Sequence, residues 1–196
     1  MVIITGASRG IGKFLLESYL KNNEVVIGTY NNSLPSENII FFEKVDVSDI
    51  NQIKKLIDKK NILLKDITLI NCAGITYNVF GHKSDHEKWK KVIEVNLYGT
   101  YNFIRSILPI MREQKFGRII NFSSVVAIKP TPGISAYAAS KSALWGLSKS
   151  IAVENASLNI NINNINLGYS ELGMIEKVPL DYKNKIISEI PAGILC

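Results

Sequence analysis

Short apolar runs rich in β-branched residues alternate along the chain with longer amphipathic segments, in which apolar positions recur at helical spacing. That alternation is the pattern of βαβ units assembled on a parallel sheet. The runs predict strands over Met1 to Thr5, Glu24 to Thr29, Ile39 to Phe42, Ile67 to Asn71, Arg118 to Phe122 and Ile160 to Ile165. Helices are predicted near Ile11 to Lys21, Asp49 to Asn61, Asp85 to Glu113 and Ser135 to Asn155. The third is long, and a break around Asn96 to Gly99 is expected to divide it in two. Ser48-Asp49 offers an N-cap for the second helix. With no repeat, linker or low-complexity stretch, residues 1–196 are expected to form a single domain; the length suits one well-buried core and is too short for two.

Composition narrows the class. The chain is 46% hydrophobic and 20% charged, ordinary for a globular protein. No apolar run approaches the eighteen or so residues of a membrane span, so no membrane partner is expected. The first strand runs straight into a glycine-rich motif without an export signal, and Cys72 and Cys196 fit neither a disulfide framework nor a metal site. A cytoplasmic location is the expectation. The net charge of +6 comes from scattered lysines rather than a block, which argues against nucleic acid and leaves a mild field favouring an anionic cofactor or substrate. His82 and His86 have no acidic partner at a ligand spacing and read as surface residues; no metal is expected.

Two motifs carry chemistry. After the first strand comes Thr5-Gly6-Ala7-Ser8-Arg9-Gly10-Ile11-Gly12, a glycine-rich turn into a helix, where backbone amides and the helix dipole meet a pyrophosphate. Its first glycine gap is wider than in Gly-x-Gly-x-x-Gly. Later, Tyr137 and Lys141 stand four apart in Ser135-Ala136-Tyr137-Ala138-Ala139-Ser140-Lys141. On a helix they share a face, so the ammonium is expected to favour the ionised phenol and lower its pKa from about 10, towards the range of a useful proton donor.

With Ser124 thirteen residues before Tyr137, Asn71-Cys72-Ala73-Gly74 after the fourth strand and Asn96 in Val95-Asn96-Leu97, these motifs resemble the short-chain dehydrogenase/reductase family in its compact form, over roughly residues 1 to 175. The resemblance implies an α/β fold, a Rossmann-like doubly wound parallel sheet in three α/β/α layers. It implies that Gly6, Ser8, Gly10, Ile11 and Gly12 wrap the dinucleotide, that Asp46 and Val47 contact the adenine, and that Asn71, Ala73 and Gly74 pass beneath the ribose, with Gly168 also at the cofactor. In the family mechanism Tyr137 protonates the carbonyl oxygen, Lys141 lowers the tyrosine pKa and binds the ribose, and Ser124 hydrogen-bonds the same oxygen. Asn96 anchors a water that leads from Lys141 to solvent. Ser123 competes for the serine role, but neighbouring strand residues face opposite sides and the interval to Tyr137 favours Ser124.

Cofactor choice follows from charge. An acid about 20 residues beyond the glycines holds the ribose 2′-hydroxyl of NAD. Here the second strand leads into Thr29-Tyr30-Asn31-Asn32-Ser33, which has no acid, and Arg9 can grip a 2′-phosphate. NADP(H) is expected, with Asn31 and Arg9 among its contacts.

The general likeness is to 3-oxoacyl-(acyl carrier protein) reductases, which implies reduction of a ketone to a secondary alcohol on a small substrate, either free or carrier-bound. Three departures leave other readings open. Of the family's two carrier-docking basic positions, one appears as Lys115 and the other as Leu158. After the sixth strand a proline gives way to Leu167, and a threonine that contacts the nicotinamide to Leu172. The chain stops at Cys196, before the family's seventh strand and tail, and so reads as truncated. The alternatives are a specialised reductase acting on a sugar or secondary metabolite for surface polysaccharide, or a dinucleotide-binding module without turnover. Lys129-Pro130-Thr131-Pro132-Gly133 is expected to wall the substrate pocket. Family members pair through the helices at about Leu97 to Glu113 and Ser135 to Asn155. Ala143, Trp145, Leu147 and Ile151 are therefore expected to form an outward apolar stripe supporting a homodimer, with a homotetramer requiring the missing strand.

Overall fold

Six strands form one parallel sheet: β1 (Val2–Thr5), β2 (Val26–Tyr30), β3 (Phe42–Lys44), β4 (Thr68–Asn71), β5 (Gly117–Ser124) and β6 (Ile160–Leu167). Their order is β3-β2-β1-β4-β5-β6, so the winding reverses between β1 and β4 and opens a crevice at the strands' C-terminal ends. The structure is a computed structural model, described over residues 1–33, 39–60, 63–172, 175, 178 and 180–195. Among the described residues six α-helices accompany the sheet: α1 (Gly10–Lys21), α2 (Ile50–Lys60), α3 (His86–Ile93), α4 (Gly99–Gln114), α5 (Ser135–Asn155) and α6 (Leu180–Glu189).

Strand alternation builds two cores. Ile3, Leu69 and Ile119 point to one face, where Ile53 of α2, Phe103 and Ile107 of α4 and Ile151 of α5 cover them. Val2, Ile4 and Ile70 point to the other and pack on Leu16 of α1. Around the inner strands β1, β2 and β4 both faces are thus dry, which is why these read as apolar runs, whereas the edge strand β6 alternates buried and exposed residues along its first half. The result is the three-layered, doubly wound sheet that the motifs implied.

The differences from expectation lie at edges and joints. Residues 39–41 form a 3₁₀ turn and β3 begins at Phe42, while β5 and β6 each run two residues further than expected. Asn61 and Cys196 lie outside the described residues. The long third helix does not break: Glu94–Tyr98 form a π turn that joins α3 to α4. One widened turn accommodates the misfit at Asn96 while keeping the helix path. Immediately after it, Gly99 packs so closely on Val47 that a Cβ would collide with the valine side chain. The expected outward stripe on α5 is not there. Ile151 is buried, Leu147 packs against the core, and the Trp145 indole turns back towards β5 and β6. Helix α6 had no counterpart in the sequence reading. It contributes Ile186 to a small apolar cluster with Ile175 and Leu195, apart from the two main cores.

Candidate active site

The site begins where β1 ends. Gly6 (φ +65°) and Gly10 (φ +54°) take the left-handed conformation that side chains disfavour. A Cβ on Gly6 would stand 2.7 Å from Ala73 Cα, and one on Gly12 would stand 2.5 Å from the Gly6 carbonyl oxygen. The loop is thus pressed against the exit of β4, where the Cys72 and Ala73 amides donate to Thr5 Oγ1, both at 3.1 Å. Gly6, Ser8, Gly10, Ile11 and Gly12 bring the start of α1 to the crevice, with Arg9 at its N-cap and exposed. A cradle that a single Cβ would fill fits a dinucleotide pyrophosphate.

At the far end of the crevice, the Ser48 amide and hydroxyl donate to the Asp46 carboxylate at 2.9 and 2.6 Å, and the Asn31 amide side chain joins them. Burial pushes this carboxyl up, but those hydrogen bonds and the charge of Lys91 outweigh it and hold Asp46 below its usual value. Lys91 also donates to Ser48 Oγ at 3.1 Å. Sequence reasoning brought Asn31 and Asp46 forward separately. It passed over Lys91, which looks like any solvated helix lysine until the fold sets it beside Asp46.

At the head of β5, Ser124 and Tyr137 share a hydrogen bond. Ser123, one residue back, donates to the Lys141 carbonyl at 2.9 Å and is committed to α5. Lys141 is buried and its Nζ donates to the Phe122 carbonyl at 2.6 Å, 5.6 Å from the Tyr137 ring centroid. Burial draws the lysine down from 10.5 to about 8, against a small opposing pull from Cys72. Tyr137 departs from the sequence reading. Burial raises its phenol above the ordinary value, and the Ser124 hydrogen bond offsets only part of that. Helical spacing did bring the two side chains together, but desolvation dominates.

Asn96 sits fully buried in the π turn. Its Oδ1 accepts from the Ile75 amide at 2.8 Å, and its Nδ2 donates to the Ile75 carbonyl and to Ser140 Oγ, both at 3.0 Å. It therefore ties the loop after β4 to the α5 turn between Tyr137 and Lys141. A Cβ on Gly74 would lie 3.4 Å from Asn96 Oδ1 and 3.8 Å from Lys141 Nζ, so the two groups converge there. Asn71 lies beneath, its Nδ2 donating to Asn121 Oδ1 at 2.8 Å.

The same motifs, now in register around one crevice, match a family model described as short chain dehydrogenase over residues 1–183. The chain belongs to the short chain dehydrogenase family. A 3-oxoacyl-[acyl-carrier-protein] reductase of Thermotoga maritima is 35% identical, taking in 97% of this chain and 82% of its own length. The acetoacetyl-CoA reductase of Shinella zoogloeoides is 33% identical over 100% and 84%. The crystal structure of a 3-oxoacyl-[acyl-carrier protein] reductase from Brucella melitensis superposes with a TM-score of 0.89 at 30% identity, covering 99% of this chain and 78% of that one. As a short chain dehydrogenase, the protein is an oxidoreductase that works with a nicotinamide dinucleotide.

Around Tyr137 this short chain dehydrogenase encloses a cavity of about 430 Å³. Ser124, Lys141, Cys72 and Gly74 border it on one side, Thr131 and Pro132 on another, and Ile175 and Ile186 close it from the α6 region. The predicted proline wall is therefore in place, with Gly168 and Leu172 also at the cavity. Burial pushes the Cys72 thiol up to about 12 despite Lys141, so it lines the cavity as a neutral group. His82 and His86 are exposed, and among the described residues no cluster of His, Cys, Asp or Glu could hold a metal. Lys115 is exposed at the end of α4, whereas Leu158 packs against the core. No helix among the described residues is long and apolar enough to cross a membrane.

Proposed function

We propose that this enzyme acts as one catalytic domain and reduces a ketone to a secondary alcohol with NADPH, using Ser124, Tyr137 and Lys141. The observation that carries the reading is the Ser124–Tyr137 hydrogen bond with the buried Lys141 ammonium beside the ring, all on one cavity. When bound, the nicotinamide supplies the hydride that the carbonyl carbon accepts. Ser124 and Tyr137 hold the carbonyl oxygen, and Tyr137 donates its phenolic proton to it. The raised phenol pKa keeps that proton in place until the oxygen gains charge. Lys141 stands beside the phenolate that remains and stabilises it, and Asn96 holds the loop and helix around it; a water on Asn96 would carry the replacement proton.

The dinucleotide contacts are proposed at Gly6, Ser8, Arg9, Gly10, Ile11 and Gly12 for the phosphates, Asp46 and Val47 for the adenine, and Asn71, Ala73, Gly74 and Gly168 towards the ribose and nicotinamide. NADPH is favoured because Arg9 and Asn31 stand exposed where the 2′ end is expected, while Asp46 is already engaged by Ser48, whose amide and hydroxyl both donate to its Oδ1, and by Asn31. Beyond Tyr137 the cavity wall is neutral and largely aliphatic, with Val126, Ile134, Leu172 and Ile186. Such a wall suits the chain of a 3-oxoacyl thioester, the substrate type in the relatives' names, better than a polyhydroxylated sugar, whose hydroxyls it would leave unpaired. The test is NADPH oxidation with acetoacetyl-CoA, a carrier-bound 3-oxoacyl thioester and a keto sugar. Faster turnover of the sugar would overturn the substrate class, and NADPH binding without oxidation by any ketone would leave a binding module.

For assembly we infer pairing through α4 and α5. Between them runs a groove of about 410 Å³ lined by Tyr101, Arg105, Leu108, Leu147 and Glu154, and Tyr98 and Val153 are exposed. Light scattering should show a dimer at micromolar concentration; a stable monomer would refute the pairing.

A further inference from the structure

At the level of the site, α5 is held to the sheet by polar rungs. Asn121 and Ser123 of β5 are register partners of Asn164 and Asn166 of β6. Residues two apart on a strand share a face, so both pairs look towards α5. The helix inserts one side chain between the members of each pair. Ser148 Oγ accepts from Asn121 Nδ2 at 2.9 Å and donates to Asn164 Oδ1 at 2.8 Å. Nearer the site, the Trp145 indole N–H is shared between Ser123 Oγ at 3.1 Å and Asn166 Oδ1 at 3.0 Å. Ser123 in turn donates to the Lys141 carbonyl, and Lys141 Nζ donates to Phe122.

Apolar packing tolerates a small slide or rotation of a helix at little cost. Directional hydrogen bonds, which weaken steeply with misalignment, do not. The upper rung connects three things that the chemistry needs in fixed relation: the head of β5 with Ser124, the α5 turn with Lys141, and the end of β6, from which Leu167 and Gly168 reach the cavity. We propose that Trp145 is a positioning residue, which through Ser123 and Asn166 sets the Lys141 turn of α5 against the ends of β5 and β6. The lower rung at Ser148 has the same polar character but lies about two helical turns from Lys141, where Trp145 lies about one. It holds the helix without setting the lysine. The proposal rests on the role given to Lys141 above.

The experiment compares Trp145→Phe, which keeps a ring and removes the N–H, with Asn166→Leu and Ser148→Ala in the full chain. Trp145→Phe and Asn166→Leu should each lower kcat about fivefold, the kinetic equivalent of one hydrogen bond of about 1 kcal/mol, because misplacement of a catalytic group is felt mainly in the transition state. NADPH affinity should fall less than kcat does, and the double variant should fall no further than the single ones, since both cut one rung. Ser148→Ala should lower thermal stability and leave kcat alone. Asn166 is exposed, so its variant keeps the test open if Trp145→Phe does not fold. A kcat within twofold of wild type for Asn166→Leu, or an equal kcat loss in Ser148→Ala, would overturn the proposal. If the wild-type protein turns over no ketone, the functional reading fails separately. Amide hydrogen exchange over residues 141–146 then decides: acceleration in the Trp145 and Asn166 variants beyond that in Ser148→Ala sustains the rung, and wild-type rates overturn it.

Discussion

Replacing Lys141 with Met removes a charge that the fold holds at a cost. The side chain is 5% exposed, and its Nζ spends a hydrogen bond on the Phe122 carbonyl. Burial lowers its pKa from 10.5 to about 8, which makes the charged form in the native state about 3 kcal/mol less favourable relative to the neutral one. The unfolded chain keeps the lysine proton up to about pH 10.5, whereas the native state releases it near pH 8. Below about pH 8 both states are protonated and the whole penalty stands. Between about 8 and 10.5 the unfolded state binds more protons, so wild-type stability gains on the variant as pH rises. Lys141→Met should therefore be more stable than wild type at pH 7 by about 1–2 kcal/mol, the lost hydrogen bond to Phe122 taking back part of the difference. That advantage should shrink by about 3 kcal/mol across the window and vanish or reverse by its upper end. Cys72, raised to about 12, and Tyr137 are present in both proteins and largely cancel from the comparison. Urea unfolding followed by tryptophan fluorescence at a series of pH values gives the difference directly. A gap that stays constant with pH, or a wild-type protein clearly the more stable at neutrality, would refute the buried ammonium.

Tyr137→Phe should cut kcat by about 10²- to 10⁴-fold with NADPH affinity unchanged, since it deletes the proton donor and little shape; retention of more than about a tenth of the rate would contradict the assignment. Gly12→Ala forces a Cβ to 2.5 Å from the Gly6 oxygen. The atoms it would meet, the Gly6 oxygen and Ala7 Cα, are backbone, so the loop must open, and NADPH binding measured by calorimetry should weaken at least about tenfold with a stability loss of about 1–3 kcal/mol; wild-type affinity would show that the cradle is not the cofactor site. Arg9→Ala, on an exposed side chain, should leave stability within about 0.5 kcal/mol while weakening NADPH about tenfold and NADH hardly at all. Equal dissociation constants for the two cofactors in the wild-type protein would remove the basis for this preference.

The parallel sheet was readable in the chain because inner strands dry on both faces require continuous apolar runs, and Val2-Ile3-Ile4 and Leu69-Ile70 supply them. The glycine loop was readable for a local reason too: positive φ at Gly6 and Gly10 is a property of single residues. So was the shared face of Tyr137 and Lys141, which helix period alone provides. Other features depended on partners far away in sequence. The π turn exists around an Asn96 that bonds Ile75 and Ser140, 21 and 44 residues distant. Helix α6 is short, and its buried Ile186 acquires meaning only against Ile175 and Leu195. Apolar residues on α5 announced that Trp145, Leu147 and Ile151 seek cover, but Ser123 and Asn166 decided where the indole turned. Titration was the least local property of all. Spacing placed an ammonium near a phenol, while the loss of water around both, a consequence of every element packed over them, raised the phenol and lowered the lysine. Dihedral preference and period belong to neighbouring residues and are written along the chain; desolvation and the choice of hydrogen-bond partner belong to the packed assembly and arise only when distant segments meet.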